Sequence, residues 1–503
     1  MNGQERTILF LIADTGAGHR SAANAIRNAI SMIAQQEQEH WLALQQTSAE
    51  SGESPDAQVS ASVTPSSLPS LSPLPPPPPT YRVVIVDAFE EYSRFPLREA
   101  MKLYGPAIRY NPRLYGQVFH LSNQSQTVSA VQSVATPLIQ NGLLRLIRSV
   151  QPDVIVSVHP LLNHVTLRAL QELEVRIPFI TVVTDLVSVH YAWFAPGADA
   201  YIVPTEHARQ LYLERRLDPK RVHMLGMPID PKFTLPTESK EALRQKLSLE
   251  KGLPAVLMVG GGEGSGGLRS AVQAISQARL PVQLLIVTGR NKRLYMHLQR
   301  IRSSLRVPAK IYGFVHNMPE LMRASDVIIT KAGPGTICEA LACGLPVILN
   351  AYVPGQEEGN VTFVTDNQVG TLAYDSLELI NMLRRLIKPG SQVMQQQLEN
   401  AKRIARPNAS FDIAQCILSF LPPANQPGVW HGGTWHREKL PPHYRRFRAV
   451  RAVTSRRLSR VRLSRLARLQ KRKTVDTLET LRYRLKRLSM MLRVPEDSQE
   501  VQE

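Results

Sequence analysis

The sequence predicts two α/β domains, each with a parallel β-sheet between layers of helices, followed by a basic helical tail. Three observations predict this class. The chain has 503 residues, more than a single hydrophobic core usually supports. Short apolar segments alternate with helix-like segments, as in parallel sheets, and this alternation restarts after residue 230. The net charge of +19 is concentrated near the C-terminus.

The first domain is predicted at residues 1–34 and 81–230. Residues 7–14 form an apolar run that indicates a buried strand, and residues 21–34 carry small and apolar side chains at helical spacing. The chain is expected to leave this domain near Pro231. The other strands predicted here are residues 82–87, 154–158, 179–183 and 200–203.

Residues 35–80 are predicted to be a disordered or polyproline insertion. They are rich in Pro, Ser and Gln, and residues 75–79 are all proline. Such a composition buries too little apolar surface to offset the entropy of folding. A passive loop is the favoured interpretation, and a ligand for a proline-recognition module is the alternative.

The second domain is predicted at residues 231–395. A closing helical segment is expected at residues 396–423, where Pro422 and Pro423 stop it. The strands predicted in this domain are residues 255–259, 284–287, 310–312, 327–329 and 346–349.

Residues 424–503 are predicted to form a basic amphipathic tail. Residues 437–493 contain 20 Lys and Arg and three acidic residues, so the rest of the chain is nearly neutral. A helix of this kind can lie on an anionic membrane surface. A short coiled coil is an alternative, and nucleic acid is the least favoured partner because few aromatic residues are interleaved. The apolar stripe consists of Val475, Leu478, Leu481, Leu485, Leu488 and Leu492.

The number of cysteines and the hydropathy of the chain indicate in which compartment the protein is expected and how it is expected to meet a membrane. The three cysteines are too few and too scattered for a disulfide framework or a metal site, which suits a reducing compartment. No segment approaches the roughly 20 apolar residues of a membrane-spanning helix, and the N-terminus does not resemble a signal peptide. We therefore expect a peripheral protein at the cytoplasmic face of a membrane.

The first candidate site follows the first strand, in Asp14-Thr-Gly-Ala-Gly-His-Arg-Ser21. Gly16 and Gly18 let the backbone approach a ligand closely, and the start of the next helix presents free N–H groups. His19 adds a side chain that titrates near neutral pH. Taken alone, the motif fits a tight strand-to-helix turn equally well.

The second candidate site is residues 259–267, where six glycines follow a predicted strand. Ordering a glycine loses more conformational entropy than ordering an alanine, at a cost of about 0.5–1 kcal/mol. A backbone that wraps a phosphate would justify that cost. The segment lacks the Gly-Lys-Ser/Thr of a P-loop and the pattern of a dinucleotide site. The residues expected to contact phosphate are Gly261, Gly262, Glu263 and Gly264.

The third candidate site combines residues 331–340 with residues 354–360. Gly333 and Gly335 open a predicted helix after a strand, so its first N–H groups are available to a ligand. Glu339 follows in that helix, where a carboxylate can accept hydrogen bonds from two ribose hydroxyls. A carboxylate stabilised by the helix dipole is the structural alternative. Gln356 and Glu357 lie in a loop suited to sugar hydroxyls, or in a plain Pro-Gly turn.

These motifs together resemble glycosyltransferase family 28, which has the GT-B fold of two Rossmann-like domains. The resemblance covers residues 6–34 and 82–420 and is strongest to monogalactosyldiacylglycerol synthases and bacterial diacylglycerol glucosyltransferases. It rests on residues 14–22, 287–291, 331–339 and 354–360. Ala17 departs from the family, which usually has glycine there.

The resemblance implies that UDP binds in the second domain and the acceptor in the first. It implies that the backbone at Phe314 and Val315 contacts uracil, that Glu339 binds ribose, and that Asn360 supports the sugar loop. Arg290, Gly333, Gly335 and Thr336 belong to the same donor site. We expect His19 to be the catalytic base, with His159 and Asp185 as rivals. Trp193 and Phe194 are expected either to line a lipid entry or to pack in the core.

The predicted function is therefore an inverting transfer of galactose or glucose from a UDP-sugar to diacylglycerol. No metal cofactor is expected, since the chain has no Asp-x-Asp motif and helix N-termini can stabilise the leaving diphosphate. Transfer of N-acetylglucosamine to another lipid-linked acceptor and epimerisation of a UDP-sugar are the enzymatic alternatives. A non-catalytic basic scaffold is disfavoured, because a scaffold has no need of a ribose carboxylate.

Overall fold

The structure is a computed structural model that describes residues 5–13, 17–50, 76–102, 111–173, 175–261, 267–423 and 426–430. The chain divides into two units, residues 1–435 and 436–503. The second unit lies outside the described residues, and so does the amphipathic stripe predicted in the tail. Within the described part, no helix combines the length and hydropathy needed to cross a bilayer.

The first sheet is parallel throughout, and its strand order is β2-β1-β3-β4-β5-β6. The central strand β1 is almost entirely apolar because helices cover both faces of the sheet. Ile8 and Phe10 pack with the first helix on one face, whereas Leu9 and Leu11 join the core on the other. The strands are β1 (Glu5–Ile12), β2 (Thr80–Asp87), β3 (Val154–Ser157), β4 (Phe179–Val182), β5 (Ala200–Val203) and β6 (Val222–Met224).

The second sheet has the order β12-β11-β10-β7-β8-β9, which is the order of a Rossmann domain, and it is also parallel. Its central strand β7 places Leu257 and Val259 in one core cluster and Val256 and Met258 in the other. The strands are β7 (Ala255–Val259), β8 (Gln283–Val287), β9 (Ala309–Tyr312), β10 (Val327–Lys331), β11 (Val347–Ala351) and β12 (Gly370–Leu372).

The described helices connect these strands and cover both sheets. They are α1 (Ala17–Glu50), α2 (Ala88–Tyr92), α3 (Leu97–Lys102), α4 (Pro112–Ser122), α5 (Ser125–Val150), α6 (Pro160–Gln171), α7 (Glu206–Glu214), α8 (Lys240–Lys246), α9 (Leu268–Gln277), α10 (Lys292–Ile301), α11 (Met318–Ala324), α12 (Pro334–Ala342), α13 (Glu358–Asp366), α14 (Ser376–Ile387), α15 (Gln392–Ile404) and α16 (Ala409–Leu418). Short 3₁₀ turns occur at Tyr191–Trp193, Pro219–Arg221, Pro231–Phe233 and Arg302–Ser304.

The strands confirm the predicted alternation, with two additions. Strands β6 and β12 were not predicted, because each has only three residues and too short an apolar pattern to be distinguished from a loop. Both lie at the edge of a sheet, where pairing on one side is enough to form them.

Helix α1 corrects the predicted start of the insertion. It continues past Ala34 to Glu50, so residues 35–50 are helical. The segment is rich in Gln, Glu, Ala and Leu, which all favour helix, and its first turns are anchored by the buried Ile26 and Ile30. The remaining part predicted to be disordered, residues 51–75, lies outside the described residues.

The last described residues of the first unit, from helix α16 onward, pack against the first domain. Helix α16 packs against α1, and Ile413 and Ile417 are buried in the core that β1 shares with α1. Arg6 is almost fully buried and donates hydrogen bonds of 2.6 Å to the carbonyls of Pro423 and Gln426.

Trp430 corrects the predicted start of the tail at residue 424. Its ring is buried in the first-domain core, and its indole N–H donates to the carbonyl of Pro152 at 2.8 Å. The backbone N–H of Val429 donates to Asp153. The basic tail therefore begins beyond this anchored segment, which charge counting could not reveal because the contacts are with residues far away in sequence.

Candidate active site

Both sheets reverse their strand order at one point, and ligands of open parallel sheets bind beside such points. The reversal lies between β1 and β3 in the first sheet and between β7 and β10 in the second. The segments that follow these four strands carry His19, His159, Gly261 and Gly333. Strand order therefore brings the sequence-predicted motifs into two groups, one in each domain.

His19 lies in the first turn of α1 and is partly exposed. Its ring is 4.7 Å from the ring of His159, centroid to centroid, and 6.5 Å from the indole of Trp193. Its Nδ1 atom is 3.3 Å from the hydroxyl of Thr184. The contact with Thr184 orients the imidazole, a group that can exchange a proton near neutral pH.

Gly18 is exposed beside His19, and a Cβ added there would meet nothing within 4 Å. The space needed for close backbone approach is therefore present. Gly16, the other glycine predicted on the acceptor side, lies outside the described residues.

His159 is less suited than His19 to act as the base. Its side chain is only 4% exposed. Burial lowers the pKa of His159 well below its usual value, and the neighbouring His19 and His190 lower it further. His159 therefore remains neutral at pH 7 and packs edge-on against the ring of His19.

Asp185 and Trp193 form a hydrogen-bonded pair beneath His19. The indole N–H of Trp193 donates to Asp185 at 2.7 Å, and burial raises the pKa of the Asp185 carboxyl to about 6. Trp193 is completely buried in the core and Phe194 nearly so. This corrects the predicted lipid entry at Trp193, because a fully buried ring has no surface to offer a lipid and packs in the core instead.

The group of motifs in the second domain, here called the donor-side group because it was predicted to bind the sugar donor, surrounds the start of helix α12. Gly333 is the N-cap residue, and Pro334 occupies the first helical position. Gly335 and Thr336 follow in the first turn, and a Cβ at Gly335 would meet nothing within 4 Å. Such a helix start presents unpaired N–H groups and the positive end of the helix dipole, so it is suited to an anion.

The glycine segment enters this group from β7. Gly261 has a φ of +69°, a conformation that other residues rarely adopt, and it lies beside the side chain of Lys331. The three predicted phosphate contacts that follow it, Gly262, Glu263 and Gly264, lie outside the described residues.

Glu339 lies in the second turn of α12. Burial raises the pKa of its carboxyl to about 7, and the negative charge of the nearby Asp230 also raises it. Asp230 itself accepts a hydrogen bond of 2.9 Å from Asn28 of the first domain. No hydrogen bond from the described part of the chain offsets the cost of ionising Glu339. Two hydroxyl donors, as on a ribose, would supply the missing stabilisation.

The residues predicted to contact uracil lie at the end of β9. Phe314 is 55% exposed, and the guanidinium of Arg290 lies 5.6 Å from its ring centroid. Val315 is partly buried and packs against the second-domain core. An exposed ring beside a backbone segment is compatible with base binding, and this role stays a prediction.

The loop before α13 carries the residues predicted to hold the sugar. Asn360 is buried and donates to the carbonyl of Ala332 at 2.8 Å, which ties the loop to the end of β10. Glu357 is also buried, with one carboxylate oxygen on Lys331 and the other accepting from the N–H of Val353 at 2.9 Å. Gln356 instead faces the first domain, where Tyr115 donates to its side chain at 3.0 Å.

This loop is also where the two domains touch. The N–H of Gly359 donates to the hydroxyl of Ser188 at 3.2 Å. Gly116 of helix α4 packs so closely on Pro354 that an added Cβ would lie 2.7 Å from the proline side chain. The acceptor-side and donor-side groups are therefore held next to one another through residues 354–359.

Comparisons with known proteins bear on both domains. Residues 79–229 match the family model described as Monogalactosyldiacylglycerol (MGDG) synthase, and residues 255–415 match the Glycosyltransferase family 28 C-terminal domain. Monogalactosyldiacylglycerol synthase 2, chloroplastic, of Arabidopsis thaliana is 33% identical over 430 residues, which cover 82% of this chain and 81% of that protein. This chain belongs to the monogalactosyldiacylglycerol synthase family.

Other similar proteins include a probable monogalactosyldiacylglycerol synthase 2, chloroplastic, of Oryza sativa subsp. japonica. It is 34% identical over 421 residues, which cover 82% of this chain and 80% of that protein. Among solved structures, MurG of Acinetobacter baumannii aligns with a TM-score of 0.47 at 14% identity, covering 82% of this chain and 99% of MurG. The family predicted from sequence is confirmed, and so is its GT-B architecture of two parallel α/β domains.

Sequence reasoning missed one residue of the donor-side group in this family member. Lys331 belongs to a motif that was used for the resemblance, but no role was predicted for it. The structure places its side chain between Gly261 and Gly333 and pairs it with Glu357. The signal available in the sequence was a basic residue at a strand end directly before Ala-Gly-Pro-Gly.

Proposed function

We propose that this chain transfers galactose from UDP-galactose to diacylglycerol with inversion at the anomeric carbon. The observation that carries the proposal is its identity of 33% to a monogalactosyldiacylglycerol synthase along 82% of the chain. The name of that relative states a galactosyl product, which favours galactose over glucose. The placement of the predicted motifs at both switch points supports a two-substrate reaction in the cleft.

In the proposed reaction, Nε2 of His19 takes the proton from the acceptor hydroxyl. The hydroxyl oxygen forms a bond to the anomeric carbon while the bond from that carbon to the diphosphate oxygen breaks. UDP leaves with the bonding electrons, and the proton remains on His19 until solvent removes it. The Thr184 contact on Nδ1 supports this assignment, since it orients the imidazole at the start of α1.

The proposed donor site relies on backbone amides and on Glu339. The N–H groups at the start of α12 would stabilise the diphosphate charge that grows as the sugar leaves. Glu339 would accept hydrogen bonds from the ribose, and its raised pKa supports a carboxylate waiting for donors. Gln356 and Glu357 remain the proposed sugar contacts. Glu357 has both oxygens engaged within the protein, which supports a positioning role for it.

A lipid acceptor is supported by exposed apolar side chains beside the cleft. One face of helix α4 packs on the sugar loop, whereas its opposite face shows apolar residues at spacings of four and three. Apolar patches of this kind mark contact with membranes or partners. The exposed residues on α4 are Leu114, Val118 and Leu121, and those on the neighbouring α5 are Val131 and Val134.

We also propose peripheral association with an anionic membrane through the basic tail, at the cytoplasmic face. The charge of the tail and its apolar stripe support this proposal. The test is flotation with anionic vesicles of the full chain and of a chain that ends at Trp435, the end of the first unit. A chain that ends at Pro423 would lack the buried Trp430. Equal flotation of the two proteins would assign membrane binding to the first unit instead.

The function is tested with purified full-length protein, diacylglycerol and one radiolabelled donor at a time. We expect a galactolipid from UDP-galactose and little product from UDP-glucose or UDP-N-acetylglucosamine. A glucolipid would correct the donor. An N-acetylglucosaminyl lipid, or conversion of a UDP-sugar to its epimer without any acceptor, would overturn the proposal in favour of the corresponding alternative.

A further inference from the structure

Lys331 is the last residue of β10, at the switch point of the second sheet. A Cβ added at Gly261 would lie 3.0 Å from its Cε atom, and a Cβ added at Gly333 would lie 3.3 Å from its Nζ atom. The ammonium group therefore occupies the space between the two glycine turns that flank the proposed diphosphate. Both turns lack side chains at the positions nearest to this cation.

The carboxylate of Glu357 determines where this ammonium lies. The Glu357 side chain is 7% exposed, and its second oxygen is held by the N–H of Val353. The Lys331 side chain is 24% exposed. An ammonium group has three N–H donors, and Glu357 is the one hydrogen-bond partner that the described residues give it. Lys331 is thus a cation that Glu357 holds beside Gly261 and Gly333.

We propose that Lys331 binds the diphosphate of the sugar donor directly and that Glu357 acts as its positioning residue. This inference rests on the proposed function, since it concerns the donor of that reaction. The ammonium neutralises part of the charge that moves onto the diphosphate when its bond to the sugar breaks. The helix start at Gly333 and the glycine turn at Gly261 supply neutral donors, and Lys331 supplies the full positive charge.

The pairing has a second consequence for the same site. Glu357 belongs to the loop whose neighbouring residues, Gln356 and Gly359, contact the first domain. The same loop therefore carries both the carboxylate that holds Lys331 and contacts with the first domain.

The test compares the wild type with Glu357→Gln and with the double variant Lys331→Met/Glu357→Gln. Removing Lys331 alone would leave a buried carboxylate without its partner and endanger folding, whereas the double variant removes both charges and keeps the side-chain lengths. Dissociation constants for UDP and uridine are measured by calorimetry on the full chain. Charge-assisted bonds to phosphate predict that the double variant binds UDP about 10- to 100-fold more weakly than the wild type. A positioning role of Glu357 predicts a smaller loss in Glu357→Gln.

Uridine separates the proposal from a structural role. It carries no phosphate, so its affinity should be the same in both variants. Equal UDP affinity of the wild type and the double variant, or a parallel loss for UDP and uridine, would overturn the role of Lys331 while leaving the proposed function intact. Wild-type UDP affinity in Glu357→Gln would overturn the positioning role of Glu357. Failure of the wild-type chain to bind UDP at all would overturn both.

Discussion

Replacing Glu339 with glutamine tests two effects of this residue, its proposed contribution to UDP binding and its effect on the stability of the fold. The carboxyl lies in the second turn of α12, and burial together with Asp230 raises its pKa from 4.5 to about 7. A raised pKa means that the folded chain holds the proton more tightly than the unfolded chain does. The stability that Glu339 contributes is therefore full below pH 4.5 and is lost as the pH rises through 7.

The magnitude follows from the shift. Each pKa unit corresponds to about 1.36 kcal/mol, so the raised pKa of Glu339 lowers stability, relative to acid pH, by about 3 kcal/mol at pH 8 and by about 1 kcal/mol at pH 5. Glutamine has nearly the same shape and cannot ionise. The entropy of unfolding is about 2.1 cal/mol/K per residue. For the unit of residues 1–435, the free energy gained by Glu339→Gln therefore corresponds to a rise in Tm of about 3–4 °C at pH 8.

The same substitution should weaken the donor. A carboxylate that accepts two ribose hydroxyls is replaced by an amide, which predicts a loss in UDP affinity of about 10- to 100-fold at pH 8. Donor hydroxyls stabilise the ionised form, so wild-type affinity should rise with pH up to about 7. Comparing the two proteins at each pH cancels the ionisation of UDP itself.

The assays are calorimetric titration with UDP and thermal unfolding, both between pH 5 and pH 8. Glu399→Gln is the matched control, because Glu399 is exposed on helix α15 and should alter neither quantity. A Glu339→Gln variant with wild-type UDP affinity across this range would refute the ribose assignment. An unchanged Tm at pH 8 would refute the reasoning about burial.

Three further predictions follow from the same contacts. His19→Ala should lower turnover by about 10²- to 10⁴-fold without changing UDP affinity, and near-normal turnover would return the base to another residue. Gly335→Ala should weaken UDP binding at least about tenfold, and since the added methyl meets nothing within 4 Å and alanine favours helix, the loss should not come from the fold. Gly18→Ala has equally open space and is the comparison on the acceptor side, where it should impair transfer and leave UDP binding unchanged. Trp430→Ala should destabilise the protein by about 3–5 kcal/mol in denaturant titrations, whereas ending the chain at Trp435 should leave the same titration unchanged.

The alternation of short apolar runs with amphipathic segments was sufficient to predict two parallel α/β domains. A parallel strand that is covered on both faces must be apolar throughout, as residues 8–12 and 255–259 are, and such runs are visible without knowing their neighbours. The glycine motifs were visible for a similar reason. Their conformational demands are local, and the positive φ of Gly261 depends on its own turn.

Contacts between distant parts of the chain were decided only by the tertiary structure. Strand order set which loops share a switch point, and it brought His19 within 4.7 Å of His159 and Lys331 to Glu357. Arg6 meets the carbonyl of Pro423 across 417 residues. Local patterns specify which face of an element is buried, whereas the partner of that face depends on the packing of the whole core. The sequence therefore determined the elements and the chemistry available to them, and the fold determined which side chains could act together.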